Sequence, residues 1–91
     1  MSIVIRFNPP ALTAEQYDEV VRRLNEAGVF PAQGLDYELC FGTENNLKVS
    51  QVWDTQENME AFGARLRPIL EQVGIDPGEA EVLPVHNIIK P

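Results

Sequence analysis

Six residues are of types that handle small-molecule chemistry: His86, Glu38 and Asn8 as candidate catalytic groups, and Trp53, Tyr37 and Arg6 as candidate ligand contacts. His86 is the only histidine, and an imidazole ordinarily titrates near neutrality, which suits a general base. One ring nitrogen could also hold a haem iron, a less favoured use. The plainer alternative is a strand-end histidine hydrogen-bonded for structural reasons. No second metal-ligating residue stands at a suitable spacing from it, so no metal is expected. Glu38 sits in the middle of a strand. Burial of its face by a partner would favour the protonated carboxyl and make proton transfer reasonable. On an exposed edge strand it is a solvated charge, and the topology reasoned below puts it at an edge. Asn8 closes the first strand, where a side-chain amide can hold a developing oxyanion. Trp53 offers an aromatic wall to a ligand, although packing beneath the second helix is the preferred reading for so large a ring. Tyr37 precedes Glu38 and points to the opposite face. Arg6, like Lys48, is a mid-strand charge that can touch a ligand or pair with Asp36 or Glu38 across the sheet. Cys40 lies between Leu39 and Phe41 with no basic neighbour and reads as a small buried residue.

A regular succession of strands and helices must hold these groups. Ser2 to Asn8 alternates, with Ile3, Ile5 and Phe7 on one face and Val4, Arg6 and Asn8 on the other. Pro9 and Pro10 stop that strand, since neither can donate to a ladder. Thr13 with Gln16 makes a capping box, and Tyr17, Val20, Val21 and Leu24 then recur at helical spacing. The spacing predicts a helix over Ala14 to Ala27, with Gly28 at its C-terminal end. Gly34 to Phe41 and Leu47 to Trp53 alternate on either side of the turn formers Gly42 to Asn46, which predicts an antiparallel hairpin. Asp54 or Thr55 caps a second helix, whose stripe is Met59, Phe62, Leu66, Ile69, Leu70 and Val73. Pro68 falls inside it and is expected to kink or split the helix near Ala64 to Arg67. Gly74 ends that helix, and Val82 to Ile89 is expected to be the last strand, carrying His86.

This β-α-β-β-α-β order predicts an α+β, ferredoxin-like domain: a four-stranded antiparallel sheet with both helices on one face. The uncovered face is assigned Val4, Arg6 and Asn8 with Lys48, Ser50 and Val52, with the reverse assignment left open by the pattern, and a second copy of the sheet would cover it. Ninety-one residues form one domain with a limited core, for which a partner subunit is a plausible source of burial. A net charge of −7 argues against a nucleic-acid partner. No segment has the apolar length to span a bilayer. The opening residues MSIVIRFN lack the features of a signal peptide, and the lone Cys40 suits a reducing, cytoplasmic setting. There is no glycine-rich phosphate loop, nucleophile elbow, CxxC pair or paired-carboxylate signature, and Ser2 excludes proline-based tautomerase chemistry at that position.

The length, the element order and the stretch VSQVWDTQENMEAF, Val49 to Phe62, resemble the dimeric α/β-barrel superfamily, which includes antibiotic-biosynthesis-monooxygenase-like and stress-responsive barrel proteins. In that group the third strand often ends in an aromatic residue, a polar or acidic residue and a Ser or Thr cap, as Trp53, Asp54 and Thr55 do here. The resemblance implies a homodimer whose two sheets close a barrel, with a pocket in each subunit between the sheet and a helix or loop. Members include cofactor-independent oxygenases, haem-degrading enzymes, isomerases, decyclising lyases and proteins without known activity, so the fold alone does not choose among them. Asn8 and Trp53 resemble residues that haem-degrading relatives use. Those relatives carry their histidine elsewhere relative to the second helix, so no haem or other cofactor is expected. The reading is a homodimeric barrel that binds a small hydrophobic or aromatic metabolite, either as a cofactor-independent monooxygenase or isomerase, or as a non-catalytic structural or ligand-sensing module.

Overall fold

Hydrophobic alternation and two well-formed helix caps account for the elements seen in the computed structural model, which describes residues 1–91. They are β1 (Ile3–Asn8), α1 (Ala14–Glu26), β2 (Leu35–Thr43), β3 (Asn46–Trp53), α2 (Gln56–Val73) and β4 (Glu79–Pro84). The Thr13–Gln16 capping box forms in both directions and starts α1. Thr55 caps α2 by accepting from the Asn58 N–H, and Gly74 closes it with φ 81, where a side chain would be strained.

The sheet runs in the order β2-β3-β1-β4, with every neighbouring pair antiparallel. Ile3, Ile5 and Phe7 of β1 stand opposite Trp53, Gln51 and Val49 of β3, so these six side chains share one face. Both helices pack on that face: Val20 and Leu24 of α1 and Phe62 and Ile69 of α2 cluster with Ile5, Val29 and Trp53. Trp53 is the most deeply buried large side chain, tilted against Phe62 at 5.2 Å between ring centroids, and Phe30 stacks on Phe62 at 5.5 Å. The architecture is therefore ferredoxin-like, with β2 and β4 as edges.

The structure departs from the periodicity in four places. A register shift at Asp36 puts Leu35 with the core and leaves Tyr37, Leu39 and Phe41 on the uncovered face, so the expected alternation starting at Leu35 holds only after the bulge. The hairpin turn is the Glu44-Asn45 pair alone, because Thr43 pairs directly with Asn46. Helix α2 is continuous through Pro68, not split. The carbonyl left without its helical partner belongs to Ala64, which is exposed, so water can take that bond. Finally, β4 ends at Pro84. The ladder that was expected to reach Ile89 stops because β1 begins at Ile3, the partner of Pro84, and only one further bond follows, from the Val85 N–H to the Ser2 carbonyl at 3.0 Å. Pro84 sits at a non-bonded position of this edge strand, where its lack of an N–H costs no ladder bond. The following tail passes from one edge of the sheet to the other, where the Lys90 ammonium lies 3.6 Å from Asp36 on β2.

Gly34 shows how tightly the corner after β3 is built. The Asp54 N–H bonds the Gly34 carbonyl at 2.9 Å, Gly34 has φ +85, and a Cβ there would run into Asp54 and Asn58. Asn58 in turn donates to Asp54 at 2.9 Å and holds that carboxyl below its usual range. The Trp53-Asp54-Thr55 corner is a capping device.

Candidate functional site

The covered face of the sheet carries a polar chain set in apolar surroundings. Gln51 occupies an inward position of β3 between Val49 and Trp53 and is 3% exposed. An indole N–H can only donate, so Trp53 Nε1 holds the Gln51 Oε1 at 3.0 Å and turns the amide nitrogen the other way. That nitrogen donates to Glu38 Oε1 at 2.7 Å. Glu38 Oε2 accepts the Tyr17 hydroxyl in a short contact. Tyr17 is in the first turn of α1, where the Thr13 cap fixes the backbone and where it shares a face with Val20, Val21 and Leu24. Two donors thus converge on one carboxylate, and one of them, the Gln51 amide, is itself oriented by the Trp53 N–H.

Beside this chain lies a pocket between the sheet and the two helices, with a cavity of about 60 Å³. Tyr17, Glu38 and Gln51 are its polar wall. The rest is apolar, with Phe7, Val49, Leu24, Phe62 and Leu66 toward the core and Pro9, Leu12, Ile75 and Pro77 from two loops. No Arg, Lys or His lines it. Burial, the hydrogen bond to Glu38 and the charge of Glu38 push the Tyr17 phenol far above its ordinary range, so it stays a donor. Burial and the same carboxylate raise the Cys40 thiol, which therefore lacks the thiolate character of a nucleophile.

The six candidate residues do not come together. Glu38 and Trp53 face the helices and are joined through Gln51. Trp53 is 0% exposed and lies behind the pocket wall rather than in it. Tyr37 is on the uncovered face, 41% exposed. Arg6 and Asn8 are also exposed there and line an open, largely polar groove of about 560 Å³ with Phe41, Lys48, Ser50, Glu79 and Glu81. Arg6 lies 3.6 Å from Glu81, and Lys48 bonds Asn46 at 3.0 Å, instead of the Asp36 or Glu38 partners expected. His86 is exposed in the tail beyond Pro84, not on a strand. No three His, Cys, Asp or Glu side chains gather into a metal-ligand set.

Glu38 overturns the expectation attached to edge strands. Strand β2 is an edge, yet Glu38 is half-buried because the face it points to is covered by α1. Sequence reasoning missed Tyr17 and Gln51. Gln51 had a legible signal: it is the polar interruption of an otherwise apolar inward row. Tyr17 had only its hydroxyl, on a stripe that reads as core.

A four-stranded ferredoxin-like sheet with a pocket under its helices defines the architectural class, and solved structures place the chain within it. Its fold is shared with SnoaB, a cofactor-independent oxygenase from Streptomyces nogalater, at 14% identity over 99% of this chain and 96% of that one, with a TM-score of 0.65. A candidate antibiotic biosynthesis monooxygenase from Deinococcus radiodurans matches at 13% identity over 100% and 98% of the two chains, with a TM-score of 0.62. A dimeric ferredoxin-like protein of unknown function from Jannaschia sp. CCS1 matches at 10% identity over 93% and 100%, with a TM-score of 0.59. No protein-family model and no curated protein matches the sequence. At these identities the likeness is one of fold, and it is the fold that the Val49 to Phe62 stretch indicated.

Proposed function

We propose that this protein is a small homodimeric barrel that binds a hydrophobic or aromatic metabolite in the pocket under its helices, with Glu38 as the group that takes a proton from it. The observation that carries this reading is a carboxylate held by Tyr17 and Gln51 on the wall of an otherwise apolar pocket. Apolar walls supply the affinity, and a fixed acceptor supplies orientation and a place for a proton. Removing a proton from an activated carbon is the first step open to a protein without a cofactor, whether dioxygen or a new proton then meets the carbanion. The oxygenase among the structures of this fold supports the first outcome, and an isomerase would follow the second.

Asn8, Arg6, Tyr37 and His86 stand outside this pocket, so within one subunit the chemistry rests on Glu38 and its partners. Dimer formation is supported by the exposed Tyr37, Leu39, Phe41 and Leu83 on the face that the helices leave uncovered, and by the dimeric relative of the same fold.

The test uses 2-tetralone, an enolisable aromatic ketone, in heavy water. The protein should speed exchange of its α-protons as seen by proton NMR, and Glu38→Gln should abolish the acceleration while leaving the fold intact. Exchange that persists in Glu38→Gln would remove Glu38 as the base.

A further inference from the structure

We propose that Tyr17 is the specificity-determining residue of this pocket: its phenol holds on Glu38 the place that the hydroxyl of an uncharged ring ligand takes. The inference rests on reading the pocket as the ligand site and adds what kind of ligand it admits.

The first argument is room. An apolar cavity of roughly 150 Å³ takes up benzene, whereas this one is about 60 Å³. A ring therefore enters only if a wall side chain gives way. Two side chains bond Glu38. Gln51 is 3% exposed and locked from behind by the Trp53 N–H, so it cannot yield without breaking a buried network. Tyr17 is half-buried on the first turn of α1, and its only side-chain hydrogen bond is the one to Glu38. Of the two groups that hold Glu38, it is the one free to leave.

The second argument is chemistry. When Tyr17 leaves, Glu38 loses one partner, and an orphaned carboxylate in an apolar wall is costly. A ligand must restore a donor at Glu38 Oε2, as a phenol does and as an enolisable ketone does in its enol form, and Tyr17 itself shows that a neutral O–H fits there. An anionic ligand would bring a second negative charge beside Glu38 with no Arg, Lys or His in the wall to compensate. An ammonium has three donors, of which the apolar wall would leave most unpaired. A hydroxyl has one, and the site offers one opening.

The test compares 2-naphthol with 2-naphthoate by calorimetric titration of the wild-type protein and of Tyr17→Phe. That variant keeps the ring and removes the competing hydroxyl. It should bind 2-naphthol about tenfold more tightly, the value of one hydrogen bond no longer displaced, and 2-naphthoate should bind both proteins at least about tenfold more weakly. In the wild-type protein the Tyr17 ring signals should move in NMR with 2-naphthol. Unchanged or weaker 2-naphthol binding by Tyr17→Phe, Tyr17 signals that stay still while 2-naphthol binds, or 2-naphthoate binding as tight as 2-naphthol would each overturn the role of Tyr17, with the pocket still a ligand site. If neither compound binds either protein, the reading of the pocket as a ligand site falls and this inference falls with it.

Discussion

The two faces of the sheet are built from the same four strands and behave as different materials. The covered face is closed by two helices and holds a fully buried tryptophan, a buried amide and a half-buried carboxylate, each with its hydrogen bonds satisfied. The uncovered face shows Tyr37, Leu39 and Phe41 at 41, 54 and 45% exposure beside Arg6, Asn8, Lys48 and Glu81. Polar groups on the first face are fixed by partners on other elements. Those on the second make loose or local pairs, such as Arg6 with Glu81, both about 60% exposed. Held geometry belongs to the first face, and the second presents the exposed apolar side chains on which the proposed association rests.

The sharpest way to break this contrast is to truncate one aromatic on each face. Trp53→Ala should cost about 3–5 kcal/mol, because it leaves a cavity and also frees the Gln51 amide. Phe41→Ala should cost less than about 1 kcal/mol in the stability of the monomer, since that ring is only partly packed. Chemical denaturation of the two variants checks the difference, and equal losses would erase it. A charge placed on the open face probes association instead. Phe41→Asp should weaken the proposed dimer at least about tenfold, measured by sedimentation, with the Trp53 indole signal unmoved.

The covered face should also show itself in alkali. Tyr17 titrates above its ordinary value in the folded protein, so the unfolded chain releases that proton first. Stability is therefore intact below about pH 10, the ordinary tyrosine value, and falls as pH rises beyond it. The folded protein should accordingly show less phenolate absorbance at high pH than the denatured one, and Tyr17→Phe should flatten the decline. The smallest effect belongs to the open face: Arg6→Ala should change stability by less than about 0.5 kcal/mol, because an exposed pair at this distance contributes little. A larger loss would mean that the Arg6–Glu81 pair is part of an interface.

Most of the fold was legible because it is written in local patterns. Ile3, Ile5 and Phe7 alternate against Arg6 and Asn8, Thr13 and Gln16 are spaced for a capping box, and Gly74 follows the last stripe residue of α2; each of these is decided within a few residues of chain. The end of β4 was not legible. Pro84 was visible, but how far pairing with β1 continued past it was decided by Ile3, the last residue of β1 to find a partner, far away in sequence. The bulge at Asp36 was hidden for the same reason, since a register shift is a relation between two strands.

The candidate site divides in the same way. Sequence alone picked out Glu38 as an unusual mid-strand carboxylate and Trp53 as a large ring suited to the core. By itself it also determined the element order, the alternating row Val49, Gln51, Trp53 and the acidic, histidine-poor inventory from which any site must be drawn, while the structure decided that this row faces the helices. Only the tertiary structure decided that α1 covers the edge strand β2, which turns Glu38 from a solvated charge into the acceptor of Tyr17 and Gln51, and that His86 lies in an exposed tail away from them. The physical reason is that burial is a property of what packs on a residue. Tyr17 lies 21 residues before Glu38, and Gln51 lies 13 after it. No local pattern links them, and the fold alone brings them to one carboxylate.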